Sequence, residues 1–430
     1  MRQERYVRSV EVPVSRERLW EWHLSAGAFE RLAPPWVPMR MAGPVAFPGA
    51  GGEVCFEARQ FGTWLKWRAL IDTVEPPSRF VDIQLEGPFR SWRHTHAFEM
   101  AKDGGAVLID DVQYKLPRGV GLVPMASAMA KREVERMFAF RHLRMAEDVR
   151  RYPVAIGRGR VILVTGATGL IGRRLLPLLR TLGYSVRQLT RRPSAPTDFH
   201  WDPAKGAIDA AALEGVHAIV HLAGEPIAEG RWTASRKRRI RESRENATAF
   251  LVEQFRRSMN RPEVLVSASG VNYYGRGPEE KTEQSPSGDG FLAQVCRAWE
   301  AAARGAESLG MRTVQLRTGV VLDPAGGALA KMLLPFKMGA GGPIGTGRQR
   351  LPWIASDDLT DVIVAAIEDA SLSGPLNAVH PQLLEQRSFS QQLGKVLGRP
   401  ACLPLPATVV RMLFGEMGQE TLLADLPVRP

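Results

Sequence analysis

The chain has 430 residues, 44% of them hydrophobic and 24% charged, with a formal net charge of +12. That length exceeds one ordinary core and predicts two domains, or two and a lobe, of globular composition. No run approaches the roughly 20 apolar residues of a membrane-spanning helix, and the three scattered cysteines, Cys55, Cys296 and Cys402, make neither a disulfide framework nor a zinc site. The start, Met1-Arg-Gln-Glu-Arg-Tyr6, lacks the apolar core of a signal peptide, so the expected setting is a reducing cytoplasm. The densest basic run, Arg236-Lys-Arg-Arg239 with Arg241 and Arg244, carries no interleaved aromatics for base stacking. It reads as a solvated helix face with one or two arginines turned to an anionic cofactor, and no nucleic-acid partner is expected.

Tyr6–Val14 alternates like a strand with one buried face, and Ser15 is placed to cap a short helix carrying Leu19, Trp20 and Leu24. Phe29–Leu32 suggests a second short helix. From Glu53 to about Leu116 the text is strand-like, broken by the turn signals Pro76-Pro77, Gly87-Pro88 and Asp103-Gly-Gly105. A long helical pattern follows from about Met125 to Arg151, with Met129, Met137, Phe138 and Met145 on or near one face. His94 and His96, two apart on a strand, share a face, but no third ligand lies near them in sequence, so no metal site is expected. Trp64, Trp67 and Trp92 fit a core or a cavity wall.

This order, with Trp92-Arg-His-Thr-His-Ala-Phe98 and Asp110-Asp-Val-Gln-Tyr-Lys-Leu-Pro117, resembles START-like, polyketide-cyclase-type ligand-binding domains. The resemblance implies an α+β helix-grip domain over residues 1–151, with an apolar ligand between sheet and helix. Residues 152–160, interrupted by Pro153, Gly157 and Gly159, read as a linker.

Val161-Ile-Leu-Val-Thr-Gly-Ala-Thr-Gly-Leu-Ile-Gly172 is a buried-strand pattern running into glycines spaced G-x-x-G-x-x-G, and Arg173–Leu182 continues as an amphipathic helix stopped by Gly183. Gly166 permits the tight turn, Gly169 lets backbone approach a pyrophosphate, and Gly172 lets helix and strand pack closely. The amides and positive end of the new helix then face the phosphates, which marks Gly166, Thr168, Gly169, Leu170, Ile171 and Gly172 as cofactor-binding. Strand and helix patterns alternate from here to the C-terminus, the pattern of a parallel α/β sheet. The second strand, Ser185–Thr190, ends in Arg191-Arg192 with no carboxylate, which favours NADP(H) over NAD at Thr190, Arg191 and Arg192.

Thr165-Gly-Ala-Thr-Gly-Leu-Ile-Gly172, Leu222-Ala-Gly-Glu-Pro-Ile227, Arg231-Trp-Thr233, Ser243-Arg244, Gly341-Gly-Pro-Ile-Gly345 and Gly415-Glu-Met417 together resemble the epimerase-like branch of the extended short-chain dehydrogenases/reductases. That branch is filed as NAD-dependent epimerase/dehydratase and at times as a cell-division-inhibitor homologue. The resemblance implies an NAD(P)-binding Rossmann fold over 161–430, with a small C-terminal substrate lobe from about 375. By that resemblance Leu222, Ala223 and Gly224 lie against adenosine and ribose, Arg244 turns to the cofactor, and Ser269 or Ser267 ends the active-site strand. The family's Tyr-x-x-x-Lys pair falls on Leu292 and Cys296, neither able to replace it. Tyr273 or Tyr274 is the nearest substitute proton donor, and Cys296 has no neighbouring histidine to make it a nucleophile. Arg348 and Arg350 are placed to clasp a phosphate or carboxylate. The implied activity is an NADP(H)-dependent oxidoreductase or epimerase acting on a small molecule; the alternative is a non-catalytic NADP(H)-binding redox sensor. Oligomeric state is not legible.

Overall fold

The computed structural model describes residues 3–43, 47, 49–60, 62–117, 119 and 123–430. Met1 and Arg2, where the reading of the N-terminus began, lie outside them. The chain forms two compact units, Met1–Gly159 with Leu176–Ser185, and Arg160–Leu175 with Val186–Pro430.

In the first unit, β1 (Glu4–Val12) leads to α1 (Arg16–Leu24) and α2 (Ala28–Arg31). Then come β2 (Met39–Met41), β3 (Glu53–Gln60), β4 (Thr63–Glu75), β5 (Arg79–Glu86), β6 (Ser91–Met100), β7 (Ala106–Lys115) and α3 (Pro124–Arg151). The seven strands form one antiparallel sheet in the order β1-β7-β6-β5-β4-β3-β2. Ser15 caps α1, its hydroxyl accepting from the Arg18 amide at 3.1 Å. Alternation along β6 and β7 turns Trp92, His94, His96 and Phe98, with Leu108, Asp110, Val112 and Tyr114, to the buried face.

The buried stripe of α3 is Val134, Phe138, His142, Met145 and Val149. Met129, expected near it, is exposed, because nine residues at 100° each put it on the opposite side of the helix from Phe138. Trp92 and Tyr114 pack with Phe138, and Trp67 closes the cluster from its edge, so these tryptophans are core. Trp64 is instead exposed beneath the Arg40 guanidinium, 4.3 Å from the ring centre. Arg31 and Asp148 form a buried bidentate ion pair, both contacts 2.9 Å.

The chain continues with β8 (Val161–Thr165), α4 (Leu170–Thr181, whose residues from Leu176 on count with the first unit), β9 (Ser185–Thr190), β10 (Asp198–Asp202), β11 (Ala207–Ile208) and β12 (Val216–His221). It continues through α5 (Ala234–Glu242), α6 (Glu245–Arg257), β13 (Val264–Gly270), α7 (Phe291–Arg304), β14 (Arg312–Thr318), β15 (Val320–Asp323) and α8 (Gly327–Lys337). The last elements are β16 (Arg350–Leu351), β17 (Trp353–Ala355), α9 (Ser356–Glu368), β18 (Gly374–Ala378), β19 (Leu384–Glu385), α10 (Gln386–Leu397) and α11 (Ala407–Glu420).

The main sheet runs β11-β10-β9-β8-β12-β13-β14-β18. β12 pairs parallel with β8 and β13, and β14 pairs parallel with β13 and β18. Leu163, Ile219 and Leu265 pack with Leu251 and Phe255 of α6 in its core. The chain leaves β8 on one side for β9 and returns on the other as β12. That reversal opens a crevice at the carboxyl ends of β8 and β12, where α/β sheets bind ligands. Gly374–Ala378, where a small C-terminal lobe is expected from the sequence to begin, instead pairs with β14 and completes the main sheet, and Ile344 bridges Leu405.

Candidate functional site

The turn after β8 depends on two glycines for different reasons. Gly166 has φ +70°, and a Cβ there would sit 2.8 Å from the Leu222 carbonyl carbon. A Cβ on Gly172 would fall 2.5 Å from both the Gly166 and Ala167 oxygens, so only glycine lets α4 start this close to its own turn. Gly169 differs: its added Cβ would meet only the Gly166 oxygen, at 3.1 Å, and Thr168 and Gly169 are exposed. The loop is packed from behind and open in front, where the first-turn amides of α4 lack intrahelical partners. Leu170 and Ile171 are half-buried, and Leu170 lies against the Gly326-Gly327 turn. Arg174 fastens this first turn to Asp323 through contacts of 2.7 and 3.1 Å. Burial alone would raise the Asp323 pKa, but the guanidinium brings it below the ordinary value.

Leu222, Ala223 and Gly224 form the other wall, held by the Ala223 amide donating to Thr165 Oγ1 at 3.1 Å. Behind them Thr165 Oγ1 lies 2.8 Å from His221 Nδ1, and His221 Nε2 lies 3.0 Å from Thr248 Oγ1, which donates to the Arg244 carbonyl. These partners assign the proton to Nε2, and burial lowers the His221 pKa to about 4, so the ring is neutral. The Arg244 guanidinium lies against Gly224, where an added Cβ would be 3.0 Å from its Cζ, and over the Trp299 ring at 5.0 Å. Its hydrogen bonds go to the Ile240 carbonyl and Ser243 Oγ. Among the described residues no carboxylate is in ion-pair range, and burial lowers its pKa.

At the end of β9, Thr190 is half-buried and accepts from the Arg192 amide, while Arg191 and Arg192 are exposed. The rest of the basic run is largely spent within the protein. Arg236 binds Glu225 and the Pro226 carbonyl, Lys237 binds Glu416, and Arg241 binds Glu245.

The predicted catalytic side chains fall into a buried network that sequence reading did not anticipate. Ser269 Oγ donates to Glu300 Oε1 at 2.7 Å, and Glu300 takes a bidentate pair from Arg317 at 2.9 and 2.9 Å. Arg317 also donates to the Tyr274 hydroxyl, which donates in turn to Asn377 Oδ1 at 2.7 Å. Burial raises the Tyr274 pKa against the opposing pull of Arg317. Tyr273 is half-buried with its ring 3.5 Å over the same guanidinium, and among the described residues its hydroxyl makes no hydrogen bond. Ser267 is buried and donates weakly to the Ala268 carbonyl. Leu292 and Cys296 are both buried, and burial pushes the Cys296 thiol up to about 11, which removes it as a nucleophile. A charged residue inside each apolar pattern, Glu300 in α7 and Arg317 in β14, was the available signal that these two pair.

Glu420 reaches from the C-terminal segment to cap α7, accepting from the Phe291 and Leu292 amides at 2.8 Å each. Arg350 does not present a clasp for a ligand: it is already bidentate to Asp425 at 2.6 and 2.9 Å, where a carboxylate of the chain itself meets its fork. Arg348 is exposed.

No helix among the described residues is long and apolar enough to cross a membrane. The model of the "NAD dependent epimerase/dehydratase family" matches residues 162–378. The chain is similar to "Epimerase family protein Mb2239" of Mycobacterium bovis, 39% identical over 265 residues, which is 61% of this chain and 87% of the relative. It is 41% identical over 282 residues to "Epimerase family protein SDR39U1 homolog, chloroplastic" of Arabidopsis thaliana, covering 62% of this chain and 80% of that one. Among solved structures, a nucleoside-diphosphate sugar epimerase from Corynebacterium glutamicum aligns with TM-score 0.76 and 34% identity, over 98% of this chain and 90% of that one. Human epimerase family protein SDR39U1 with NADPH aligns with TM-score 0.58 and 38% identity, over 63% of this chain and 91% of that one. With half its length matched by the family model, the chain belongs to the NAD dependent epimerase/dehydratase family, an epimerase family of nucleotide-cofactor-binding Rossmann folds.

Proposed function

We propose that this protein is an NADP(H)-dependent oxidoreductase or epimerase for a small molecule, working in the cytoplasm. The observation that carries the reading is the open phosphate loop at Gly166–Gly172 beside three arginines without carboxylate partners among the described residues, Arg191, Arg192 and Arg244. Amides at Thr168, Leu170 and Ile171 take the pyrophosphate, Arg191 and Arg192 the 2′-phosphate beside Thr190, and Leu222–Gly224 the adenosine ribose. Arg244 adds positive charge along the same wall. When bound, the nicotinamide supplies hydride transfer. Of the candidate catalytic side chains, Tyr273 has the hydroxyl best suited to move a proton, while Ser269 and Tyr274 hold the floor beneath it through Glu300 and Arg317. A nucleoside-diphosphate sugar, the substrate named for the Corynebacterium glutamicum protein, heads the substrate classes to try.

The domain division belongs to the same proposal: residues 1–151 a START-like helix-grip domain, 152–160 a linker, and 161–430 the reductase-like domain. The support for the first part is its element order, one strand, two short helices, six further strands and a long helix. The space between sheet and α3 is filled by Trp92, Tyr114 and Phe138.

The test is calorimetric titration with NADPH and NADH, followed by NADPH oxidation with a panel of nucleotide sugars and carbonyl compounds. Tight NADPH binding, weakened about 10–100-fold in Arg191→Ser/Arg192→Ser while NADH is little affected, is the expected result for bidentate phosphate contacts. Absence of nucleotide binding overturns the reading. Leu292 and Cys296, buried where tyrosine and lysine would stand, favour a second reading as a non-catalytic NADP(H)-binding redox sensor. Stoichiometric binding without turnover across the panel selects it.

A further inference from the structure

The first unit contains a cluster of ionisable side chains that the nucleotide site does not use. In the β5–β6–β7 register Asp82 stands opposite His94 and His96 stands opposite Asp110, all on the sheet face toward α3, which adds His142. His94, with Nε2 3.0 Å from Asp110 Oδ1, turns Nδ1 to Asp82 Oδ2 at 3.2 Å. His96 does the same with its nitrogens exchanged: Nδ1 lies 3.0 Å from Asp110 Oδ1 without making a hydrogen bond, and Nε2 faces Asp82 Oδ2 at 3.3 Å. Two imidazoles are thus held between the same two carboxylates, their ring centres 3.7 Å apart.

Arg141 of α3 already places a positive charge near Asp82 and Asp110, so the case for a site is geometric: two imidazole nitrogens converge on the one Asp82 oxygen. A neutral His94 that donates from Nε2 to Asp110 turns a lone pair on Nδ1 toward Asp82 Oδ2, and His96 in its Nδ1–H tautomer turns one on Nε2 toward the same oxygen. A single cation satisfies both lone pairs and the carboxylate together.

We propose that Asp82 Oδ2, His94 Nδ1 and His96 Nε2 bind one divalent transition-metal ion of the zinc class, with Asp110 orienting the rings from behind. The three atoms lie within 4.8 Å of one another. Ligand atoms about 2.0–2.1 Å from a tetrahedral ion are about 3.3–3.4 Å apart, close to the 3.2 and 3.3 Å of the two Asp82 contacts. Two imidazoles and a carboxylate suit zinc, cobalt or ferrous iron better than calcium or magnesium, which take mostly oxygen ligands. Behind the ligands, Asp110 receives His94 on one oxygen and His142 Nε2 at 2.6 Å on the other, the carboxylate–histidine support that metal sites use to fix tautomer and ring angle. Asp82 keeps 17% of its side-chain surface exposed, while the His94 and His96 side chains are buried more deeply.

Co2+ alone, added to the full chain after chelator dialysis, is the direct probe. One equivalent per chain is expected to raise the visible ligand-field absorption of a tetrahedral site, with Zn2+ displacing it and raising Tm. His94→Gln and Asp82→Asn should abolish the absorption with near-ultraviolet circular dichroism unchanged, and Asp110→Asn should keep it while weakening affinity about 10–100-fold. No saturable absorption in the wild-type protein overturns the proposal, as does equal binding by a folded His94→Gln variant. Should those variants fail to fold, the wild-type melt decides: a Tm that does not rise with Zn2+ concentration overturns it. None of these readouts involves the nucleotide.

Discussion

Gly169 and Gly172 sit three residues apart in one loop and serve opposite needs. Alanine at 172 would drive a Cβ to 2.5 Å from two backbone oxygens. Gly172→Ala should therefore lower stability by about 1–3 kcal/mol, read in urea unfolding, and weaken NADPH binding as the loop moves. Gly169→Ala has room in the unliganded loop, so its unfolding midpoint should hardly change. Its methyl points into the open face, however, and NADPH affinity in calorimetry should fall. The Glu300–Arg317 pair sets a second contrast. Glu300→Gln leaves a buried guanidinium without its countercharge, and a loss of about 3–5 kcal/mol is expected in urea unfolding. Ser269→Ala removes one hydrogen bond to the same carboxylate and should cost about 1–3 kcal/mol. The need for glycine at 166 and 172 was legible in the sequence because the tight turn and the close helix start are local, although the Leu222 backbone that also crowds Gly166 comes from another element. The roles of Ser269 and Tyr274 were legible only as positions, because their hydroxyls meet Glu300, Arg317 and Asn377 from other elements.

Among the elements, α7 shows how far a cap can come from. Its N-cap residue, Gly290, has no side chain to accept from the first turn, and Glu420 supplies both oxygens from the far end of the unit. A carboxylate there meets two otherwise unsatisfied amides and the positive end of the helix dipole. Glu420→Ala should cost about 0.5–2 kcal/mol in thermal or urea unfolding, with faster hydrogen exchange at the Phe291 and Leu292 amides than in the rest of α7. Element type was readable where alternation or helical spacing ran over several neighbouring residues, as in β1, β8, β9, β12 and α3, whereas the short strands β10, β11, β16, β17 and β19 were not singled out. Boundaries that depend on packing were less readable. The strand Gly374–Ala378 looked like the start of a lobe because its membership in the sheet is decided by β14, far away in sequence.

For the whole molecule, buried neutral histidine makes stability depend on pH with a definite sign. His221 has its pKa lowered to about 4 by burial, against an ordinary value of about 6.5. Its contribution is complete above about pH 6.5. Below that the unfolded chain takes up a proton that the folded chain refuses, so stability falls as pH drops toward 4, by up to about 3 kcal/mol across the window. His23, lowered to about 3 by burial, acts in the same direction. Urea midpoints measured from pH 7 to pH 4 should decline, and His221→Gln should make the decline shallower without flattening it. An unchanged slope in that variant would assign the acid limb to other groups.

By itself the sequence determined the parallel Rossmann unit, its glycine-rich first turn, the arginines after the second strand and the strand-rich N-terminal half ending in a long helix. Those features follow from periodicity, turn chemistry and glycine placement, all of which act over a few residues. Tertiary structure alone decided which charges meet. Asp82, His94, His96, Asp110 and His142 come from three strands and a helix, and Ser269, Tyr274, Glu300, Arg317 and Asn377 from equally separate stretches. Strand register and sheet order set those distances, and burial then removes the water that would otherwise screen each charge, so partners far apart in the chain become mutually necessary.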